Sequence, residues 1–255
     1  MTPTAPLSAL ILAGSRSATD EVASAEGAPH KALIEVGGVA MIARVHAALK
    51  GAGVERVFVS ADNPDVVAFA RGLGAEIVQP EAGPSASVAK GFAQSGAPLI
   101  VTTADHALLR PEWLRELIDG GSEADLAIML ARREKVEAVL PGTRRTWWHF
   151  ADGHWSGCNL FYLRTPEARH AIDGWREVDR NRKRPWRIAV GLGLPTLTSY
   201  AMGRLGLRDA IARLGTRMGC RTVLVSASDG RAAIDVDKLS DLVDVRRLIA
   251  ETTTA

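Results

Sequence analysis

Residues 99–105 read LIVTTAD, and this short stretch decides the fold class. Its first four residues are apolar or β-branched, as in a buried strand, and a carboxylate follows soon after. A carboxylate at the carboxyl end of a central strand lies where open α/β sheets bind ligands. Asp105 is therefore the first candidate site residue. Helix capping at the helix predicted to begin at Pro111 is the alternative, but Asp105 lies too far upstream for it.

Strands and helices alternate on both sides of this stretch. Strands are predicted at Ala9–Leu12, Arg56–Ser60, Glu76–Val78 and Leu99–Thr102. Helices are predicted at Val39–Ala52, Pro64–Leu73, Ser85–Gln94 and from Pro111 onward. Strict alternation implies parallel βαβ units with right-handed crossovers. The predicted fold class is therefore α/β, an open, doubly wound, mostly parallel sheet of the Rossmann-like type.

The pattern changes after residue 136. Two strands, Trp147–Phe150 and Cys158–Leu163, flank a turn and precede helical patterns at Pro166–Asp179, Trp186–Leu205 and Leu207–Met218. The chain then returns to strand patterns at Thr222–Val225 and Ala233–Asp237, and ends in a helix at Leu239–Ile249. We expect a single domain, 1–255, with a mainly helical insertion at about 165–219.

Composition narrows the function classes. The chain has 255 residues, is 47% hydrophobic, and carries 31 basic and 29 acidic residues for a net charge of +2. This balance predicts no nucleic-acid partner. The two cysteines, Cys158 and Cys220, favour a reducing cytoplasm. The first twelve residues lack the pattern of a signal peptide or anchor, and no apolar run reaches 18 residues, so we expect a soluble, cytoplasmic protein.

The turn after the first predicted strand is a candidate phosphate site. Small residues there, Leu12-Ala13-Gly14-Ser15-Arg16, allow backbone N–H groups to approach a phosphate. An ordinary turn is the alternative interpretation. About fifteen residues later Lys31 enters an apolar run after a polar loop, where it could close over bound phosphates. A solvated lysine at a strand edge is the alternative there.

Two acidic residues near the C-terminus are further candidates. Asp235 and Asp237 lie on one face of an extended segment, because strand side chains alternate. Their carboxylates are hard oxygen ligands of the kind that Mg²⁺ prefers. Helix capping by Asp237 is the alternative, and both roles can coexist.

Leu10–Ser17 followed by Lys31-Ala32-Leu33 resembles the signature of the MobA-like nucleotidyltransferases. These belong to the nucleotide-diphospho-sugar transferase superfamily, whose fold is of the GT-A type. The resemblance implies that the loop from Leu12 to Arg16 wraps the NTP phosphates and that Lys31 contacts them. It also implies a Mg²⁺ ion on Asp105 and Asp237. Ser15 replaces a glycine of the family pattern, and Arg16 stands in for a charge that the pattern carries further on.

The same resemblance assigns the two substrates. Gly83 and Ser87, near the start of the predicted helix Ser85–Gln94, match the residues that hold the nucleoside, although Ser85 could simply cap that helix. Ser156, Gly157 and Asn159 match the strand beside the acceptor, with a glycine bulge as the alternative.

The segment Arg176–Arg187 is strongly basic. Arg182 and Lys183 are candidates for clamping an acceptor phosphate. A solvated helix face is the usual alternative, and weak contact of residues 176–218 with a membrane surface is another. The six histidines show no zinc-like spacing.

Together these features predict a Mg²⁺-dependent nucleotidyltransferase. It transfers NMP from an NTP, CTP or GTP, to a phosphorylated small-molecule acceptor and releases pyrophosphate. A GT-A glycosyltransferase is the first alternative, although Ala107 stands where its DxD motif requires a second acid. A catalytically inactive nucleotide-binding or regulatory protein is the other.

Overall fold

A mixed sheet of eight strands forms the centre of the protein in the computed structural model, which describes residues 6–14, 20–181 and 193–253. The strand order is β10-β7-β9-β6-β1-β4-β5, with β8 paired to β9, and β2 and β3 form a separate hairpin. The strands are β1 (Ser8–Leu12), β2 (Glu35–Val36), β3 (Val39–Ala40), β4 (Arg56–Ser60), β5 (Glu76–Val78), β6 (Leu99–Thr103), β7 (Leu126–Arg132), β8 (Trp148–Phe150), β9 (Gly153–Leu163) and β10 (Thr222–Ser226).

Helices cover both faces of this sheet. The α-helices are α1 (Glu21–Ala25), α2 (Met41–Gly51), α3 (Pro64–Gly72), α4 (Pro84–Ser95), α5 (Pro111–Gly120), α6 (Arg133–Val139), α7 (Arg169–Asn181), α8 (Leu194–Ala201), α9 (Leu207–Met218) and α10 (Leu239–Thr253). Short 3₁₀ turns lie between them at Lys31–Leu33, Pro166–Ala168 and Gly230–Ala233.

The parallel strands end at one edge of the sheet. Strand β1 pairs in parallel with β4 and β6, so that Leu12 lies opposite Ser60 on one side and Thr103 on the other. Apolar side chains such as Leu10 and Ile11 are fully buried on opposite faces of β1, as expected for a strand covered by helices on both sides. The predicted doubly wound, mostly parallel sheet is confirmed, and the loops after β1, β4, β5 and β6 share its carboxyl edge.

Strand β9 is the main departure from the parallel pattern. It lies antiparallel between β6 and β7, and its register with β7 shifts between Met129 and Leu130. Because Met129 pairs with Leu160 and Leu130 with Gly157, two residues of β9 fall between these pairs and form a bulge. Asn159, the second of them, has a φ of 52°, the left-handed region.

Several predicted boundaries were wrong. Residues Ala233–Asp237 do not form a strand, because the 3₁₀ turn Gly230–Ala233 ends there and the chain continues in an extended, unpaired path. Residues Val39–Ala40 belong to the β2–β3 hairpin rather than to helix α2. Helix α4 begins at Pro84 with Gly83 as its N-cap, so Ser85 is not the cap.

The span predicted as a helical insertion contains α7, α8 and α9. Helix α9 is held by Asp152 of the β8–β9 turn, whose carboxylate accepts hydrogen bonds from the backbone N–H groups of Leu207 (2.8 Å) and Arg208 (3.4 Å). This contact docks the start of α9 on the β8–β9 hairpin. Part of the predicted segment Trp186–Leu205 lies outside the described residues.

The turn that leads to Asp235 is held by close backbone packing. A Cβ atom on Gly230 would overlap the carbonyl group of Lys135 and the Cα of Val136 at the start of helix α6. Only glycine allows the two backbones to approach so closely.

We therefore expect Gly230→Ala to lower the free energy of unfolding by about 1–3 kcal/mol, as overpacking does. Urea unfolding followed by circular dichroism measures the loss. Gly72→Ala is the matched control: a Cβ at this exposed end of α3 meets no atom within 4 Å, and alanine is the better helix former. Equal stability of the two variants would contradict this packing argument.

Candidate active site

Lys31 is the centre of a charged cluster at the carboxyl edge of the sheet. It begins the 3₁₀ turn Lys31–Leu33, and the ring of His30 caps that turn, since its Nδ1 accepts the N–H of Ala32 at 3.0 Å. His30 is 7% exposed, and burial lowers its pKa below the ordinary value, which keeps Nδ1 available as an acceptor. This cap was not predicted from the sequence. The sequence feature that could have revealed the cap is a histidine directly before the turn.

Two of the predicted aspartates meet on the Lys31 ammonium. Lys31 Nζ donates to Asp105 Oδ2 at 2.7 Å and lies 3.8 Å from Asp237 Oδ1. A third contact goes to the backbone carbonyl of Val236 at 2.9 Å. The structure thus brings together residues 31, 105 and 237, which are far apart in the sequence.

The segment around Asp237 is fixed from both ends. The N–H of Val236 donates to the backbone carbonyl of Asp105 at 3.2 Å, which ties this segment to the end of β6. Asp241 in the first turn of α10 accepts the N–H groups of Asp237 (3.0 Å) and Lys238 (3.1 Å). The carboxylate that caps these amides is therefore that of Asp241, and the Asp237 side chain stays 71% exposed.

Asp235 has different partners. Its Oδ1 accepts from Arg145 Nη2 at 2.5 Å and its Oδ2 from Asn159 Nδ2 at 2.8 Å. Both charged side chains are largely buried, with 16% of Arg145 and 13% of Asp235 exposed. Arg145 was not predicted from the sequence, because nothing in the irregular segment around it marks it as a partner of a residue 90 positions away.

The electrostatics of the cluster follow from burial and pairing. Burial acts to lower the pKa of Lys31, but the charge of Asp105 and their hydrogen bond outweigh it and raise that pKa. Lys31 therefore stays positive at neutral pH. Burial raises the pKa of Asp235 above its ordinary value, even though the charge of Arg145 opposes the rise.

His106 next to Asp105 is neutral at physiological pH. It is fully buried and stacks on Trp113 with ring centroids 6.2 Å apart. Burial lowers its pKa to about 4, despite the negative charge of Asp105. The neutral ring thus packs on Trp113 and supplies no charge to the site.

The predicted phosphate loop is only partly described. Leu12, Ala13 and Gly14 are at the carboxyl edge, with Gly14 against Pro80, while Ser15 and Arg16 lie outside the described residues. The N–H of Ala13 donates to the carbonyl of Ser60 at 2.9 Å. The predicted role of the Ala13 N–H as a phosphate donor is therefore wrong, because this N–H already forms a hydrogen bond within the sheet.

Helix α4 brings the predicted nucleoside residues to the same edge. Gly83 is its N-cap, and the hydroxyl of Ser87 accepts the N–H of Glu81 at 2.9 Å. A Cβ on Gly91 would collide with Leu10, so this glycine lets α4 pack closely on β1.

The predicted acceptor residues on β9 lie partly in its regular, paired region and partly at its bulge. Ser156 is 5% exposed in β9, where it pairs with Ala131, and Gly157 precedes the bulge that holds Asn159. The predicted glycine bulge thus lies one residue further on, at 158–159. Arg182 and Lys183 fall outside the described residues, as does part of the span 176–218 predicted to touch membranes. No helix in the described ranges is both long and apolar enough to cross a bilayer.

The carboxylate oxygens of Asp105 and Asp237 suit a divalent cation that also binds phosphate. Asp105 Oδ1 is buried, and no hydrogen-bond partner for it occurs among residues 6–14, 20–181 and 193–253. The same part of the chain contains no group of three Asp, Glu, His or Cys side chains that could hold an ion alone. Mg²⁺ typically uses one or two carboxylates and completes its shell with water and substrate phosphates, so Asp105 and Asp237 suit it.

Comparisons with known proteins agree with this geometry. The family model described as the MobA-like NTP transferase domain matches residues 9–224. A hypothetical transferase from Thermus thermophilus superposes with a TM-score of 0.79 and 29% identity, over 93% of this chain and 99% of that one. The sequence matches no curated protein.

Two more distant structures share the fold. One is a CMP:2-keto-3-deoxy-manno-octonic acid synthetase complexed with CTP, with a TM-score of 0.57 and 19% identity over 97% of this chain and 100% of that one. The other is a 4-diphosphocytidyl-2C-methyl-D-erythritol synthase, with a TM-score of 0.59 and 12% identity over 96% and 98%.

The His30 cap generates a pH prediction. Because the folded protein lowers the pKa of His30, its neutral ring contributes stability above an ordinary pKa of about 6.5, and this contribution is lost as the pH falls. His30→Asn keeps a capping side chain that does not titrate. We expect this variant to lose less unfolding free energy than the wild type between pH 7 and pH 5, as measured by urea unfolding.

The control is Ser122→Asn in the exposed turn after α5, which changes no titratable group. It should keep the pH dependence of the wild type. If His30→Asn kept it as well, the histidine cap would not contribute to acid sensitivity.

Proposed function

The chain belongs to the family of MobA-like NTP transferase domains, and we propose that it transfers NMP from an NTP to a phosphorylated small molecule and releases pyrophosphate. One observation carries the proposal: the Lys31 ammonium contacts both Asp105 and Asp237 at the carboxyl edge of the sheet. That edge is where ligands bind in open α/β sheets.

Lys31 is suited to binding a phosphate. Its ammonium has three N–H donors, and two of them are directed to Asp105 Oδ2 and the carbonyl of Val236. The third is available to a β- or γ-phosphate oxygen of an NTP. Because its charge is maintained by a raised pKa, Lys31 can stabilise the pyrophosphate as negative charge builds up on it.

Bond making and bond breaking occur at the α-phosphorus. A phosphate oxygen of the acceptor forms a bond to this atom while the bond to the oxygen bridging the α- and β-phosphorus breaks, and pyrophosphate leaves with that oxygen and its electron pair. The acceptor phosphate is already anionic at neutral pH, so no general base is required. The protein contributes alignment and charge neutralisation.

A Mg²⁺ ion held by Asp105 and Asp237 would supply Lewis-acid polarisation of the phosphate oxygens. The buried Asp105 Oδ1 and the exposed Asp237 carboxylate are the oxygens offered for it. In this proposal Gly14, Ser15 and Arg16 face the phosphates, and Gly83 and Ser87 approach the nucleoside. The predicted acceptor contacts were Ser156, Gly157, Asn159, Arg182 and Lys183. Ser156 is buried and the Asn159 amide binds Asp235, so Gly157, Arg182 and Lys183 retain that role in this proposal.

CTP is the first nucleotide to test and GTP the second. Support for CTP comes from the two structural neighbours whose names contain CMP or diphosphocytidyl, one of them complexed with CTP. The acceptor is proposed only as a class, a phosphorylated sugar, alcohol or pterin.

Substitution of the two aspartates tests the chemistry. Asp105→Asn and Asp237→Asn should each reduce the rate of pyrophosphate release by roughly 10²-fold, because each removes charge stabilisation at the reacting phosphates. The assay follows pyrophosphate with CTP or GTP, Mg²⁺ and a panel of phosphorylated acceptors. Asp119→Asn on the exposed side of α5 is the control and should act like the wild type. Normal turnover by Asp105→Asn would refute the proposal.

Nucleotide binding can be tested before the acceptor is known. We expect CTP with Mg²⁺ to raise the unfolding temperature of the wild type in a concentration-dependent way, since a ligand that binds the folded state stabilises it. Asp105→Asn should show a smaller shift at the same CTP concentration. Binding without turnover on any acceptor would favour an inactive nucleotide-binding protein, and binding of NDP-sugars alone would favour a glycosyltransferase.

A further inference from the structure

We infer that Arg145 is a positioning residue that, together with Asn159, clamps Asp235 and thereby places Val236 and Asp237 around Lys31. The inference rests on the proposed function and deepens it. It assigns Asp235 to the support of the site, although sequence analysis had made it a metal ligand. It also gives a role to Arg145, for which the sequence offered none.

The clamp holds both oxygens of one carboxylate. Arg145 Nη2 binds Oδ1 at 2.5 Å, and Asn159 Nδ2 binds Oδ2 at 2.8 Å. With one partner on each oxygen, rotation of the Asp235 side chain breaks at least one charge-assisted hydrogen bond. The pair with Arg145 is largely shielded from water, where loss of one partner leaves an uncompensated charge.

The backbone of β9 is distorted at the point where Asn159 meets Asp235. The bulge against Met129 and Leu130 inserts Asn159 with a φ of 52°, and it is the one non-glycine residue with positive φ in the described chain. Such a backbone conformation costs free energy, and it persists only where contacts with the surrounding structure hold the residue in it. Here the bulge directs the Asn159 amide to Asp235, as bulges beside active sites redirect side chains.

Because Asp235 is held in place, the two residues that follow it in the chain are also held near Lys31. The next residue, Val236, offers its carbonyl to Lys31 and its N–H to the carbonyl of Asp105. The residue after it, Asp237, carries the carboxylate that faces Lys31. This stretch belongs to no strand or helix, so its side-chain and backbone contacts fix its path.

The charges of the cluster favour a supporting role for Asp235. Three carboxylates, Asp105, Asp235 and Asp237, lie close enough for Asp105 to influence the other two. Lys31 pairs with residues 105 and 237, whereas Arg145 pairs with residue 235. The two cations thus divide the carboxylates into a pair that faces the substrates and a single one that is neutralised behind them.

A double-mutant cycle tests the clamp with four proteins: wild type, Arg145→Met, Asp235→Asn and the double variant. Arg145→Met should lower kcat by about 10- to 100-fold, the range found when supporting residues of a metal site are removed. Asp235→Asn should also lose activity, because it leaves the largely buried Arg145 guanidinium without its carboxylate partner. The double variant removes both charges together, so it should be more active than Arg145→Met and should lose less than the two single losses combined.

Metal affinity gives a second measurement that does not depend on turnover. Binding of Mn²⁺ in the presence of CTP, followed by electron paramagnetic resonance, should be weakened more by Asp237→Asn than by Asp235→Asn. Equal loss in these two variants would make Asp235 a ligand and overturn the inference. A double variant as inactive as Arg145→Met would also overturn it, because Arg145 would then act on the substrate directly.

Failure of the proposed function would be distinguishable from failure of the clamp. If the wild type released no pyrophosphate with any acceptor, the transferase proposal would fail, while thermal unfolding of the four proteins would still report the coupling. Arg145→Met should then unfold at a lower temperature than the double variant. An unfolding temperature for the double variant at or below that of Arg145→Met would show that the two residues are not coupled.

Discussion

The arrangement of this protein depends on one ammonium group placed among carboxylates. Lys31 reaches Asp105 across 74 positions of sequence and the carbonyl of Val236 across 205. Neighbouring carboxylates repel each other and lose hydration where they are buried, and a cation between them offsets both costs. The lysine therefore also has a structural part. It joins the end of β6 to the segment before α10.

The sheet makes this meeting possible. Parallel strands β1, β4, β5 and β6 end at one edge, and their loops carry the small residues around Gly14, the start of α4 and Asp105. The last acidic segment is not part of this sheet. It is brought to the edge by the tight Gly230 turn against α6 and by the hydrogen bond between Val236 and Asp105. Rigid strands thus supply one half of the cluster, and an irregular segment held by specific contacts supplies the other.

The irregular half needs support that the strands do not. Strand β9 runs antiparallel between β6 and β7, and its bulge and left-handed Asn159 depart from regular geometry beside the site. Arg145, Asn159 and Asp235 form a group of contacts next to the Lys31 cluster. These contacts explain why a segment without secondary structure can hold a carboxylate near Lys31, because both carboxylate oxygens of Asp235 have partners.

The local pattern of the chain determined much of this protein. Apolar runs placed β1, β4, β5 and β6 within about a residue of their observed ends, and the same patterns with a family signature identified Lys31, Asp105 and Asp237 as candidates. The strand predicted at Ala233–Asp237 was wrong, because an extended pattern does not reveal whether a neighbouring strand is available for pairing. The His30 cap is a local contact with the N–H of Ala32 and could be recognised in the sequence. The partner of Arg145 and the place of β9 emerged only in three dimensions. Each depends on contacts between distant segments, and the free energy of such contacts comes from packing and charge neutralisation that exist only once the chain has folded.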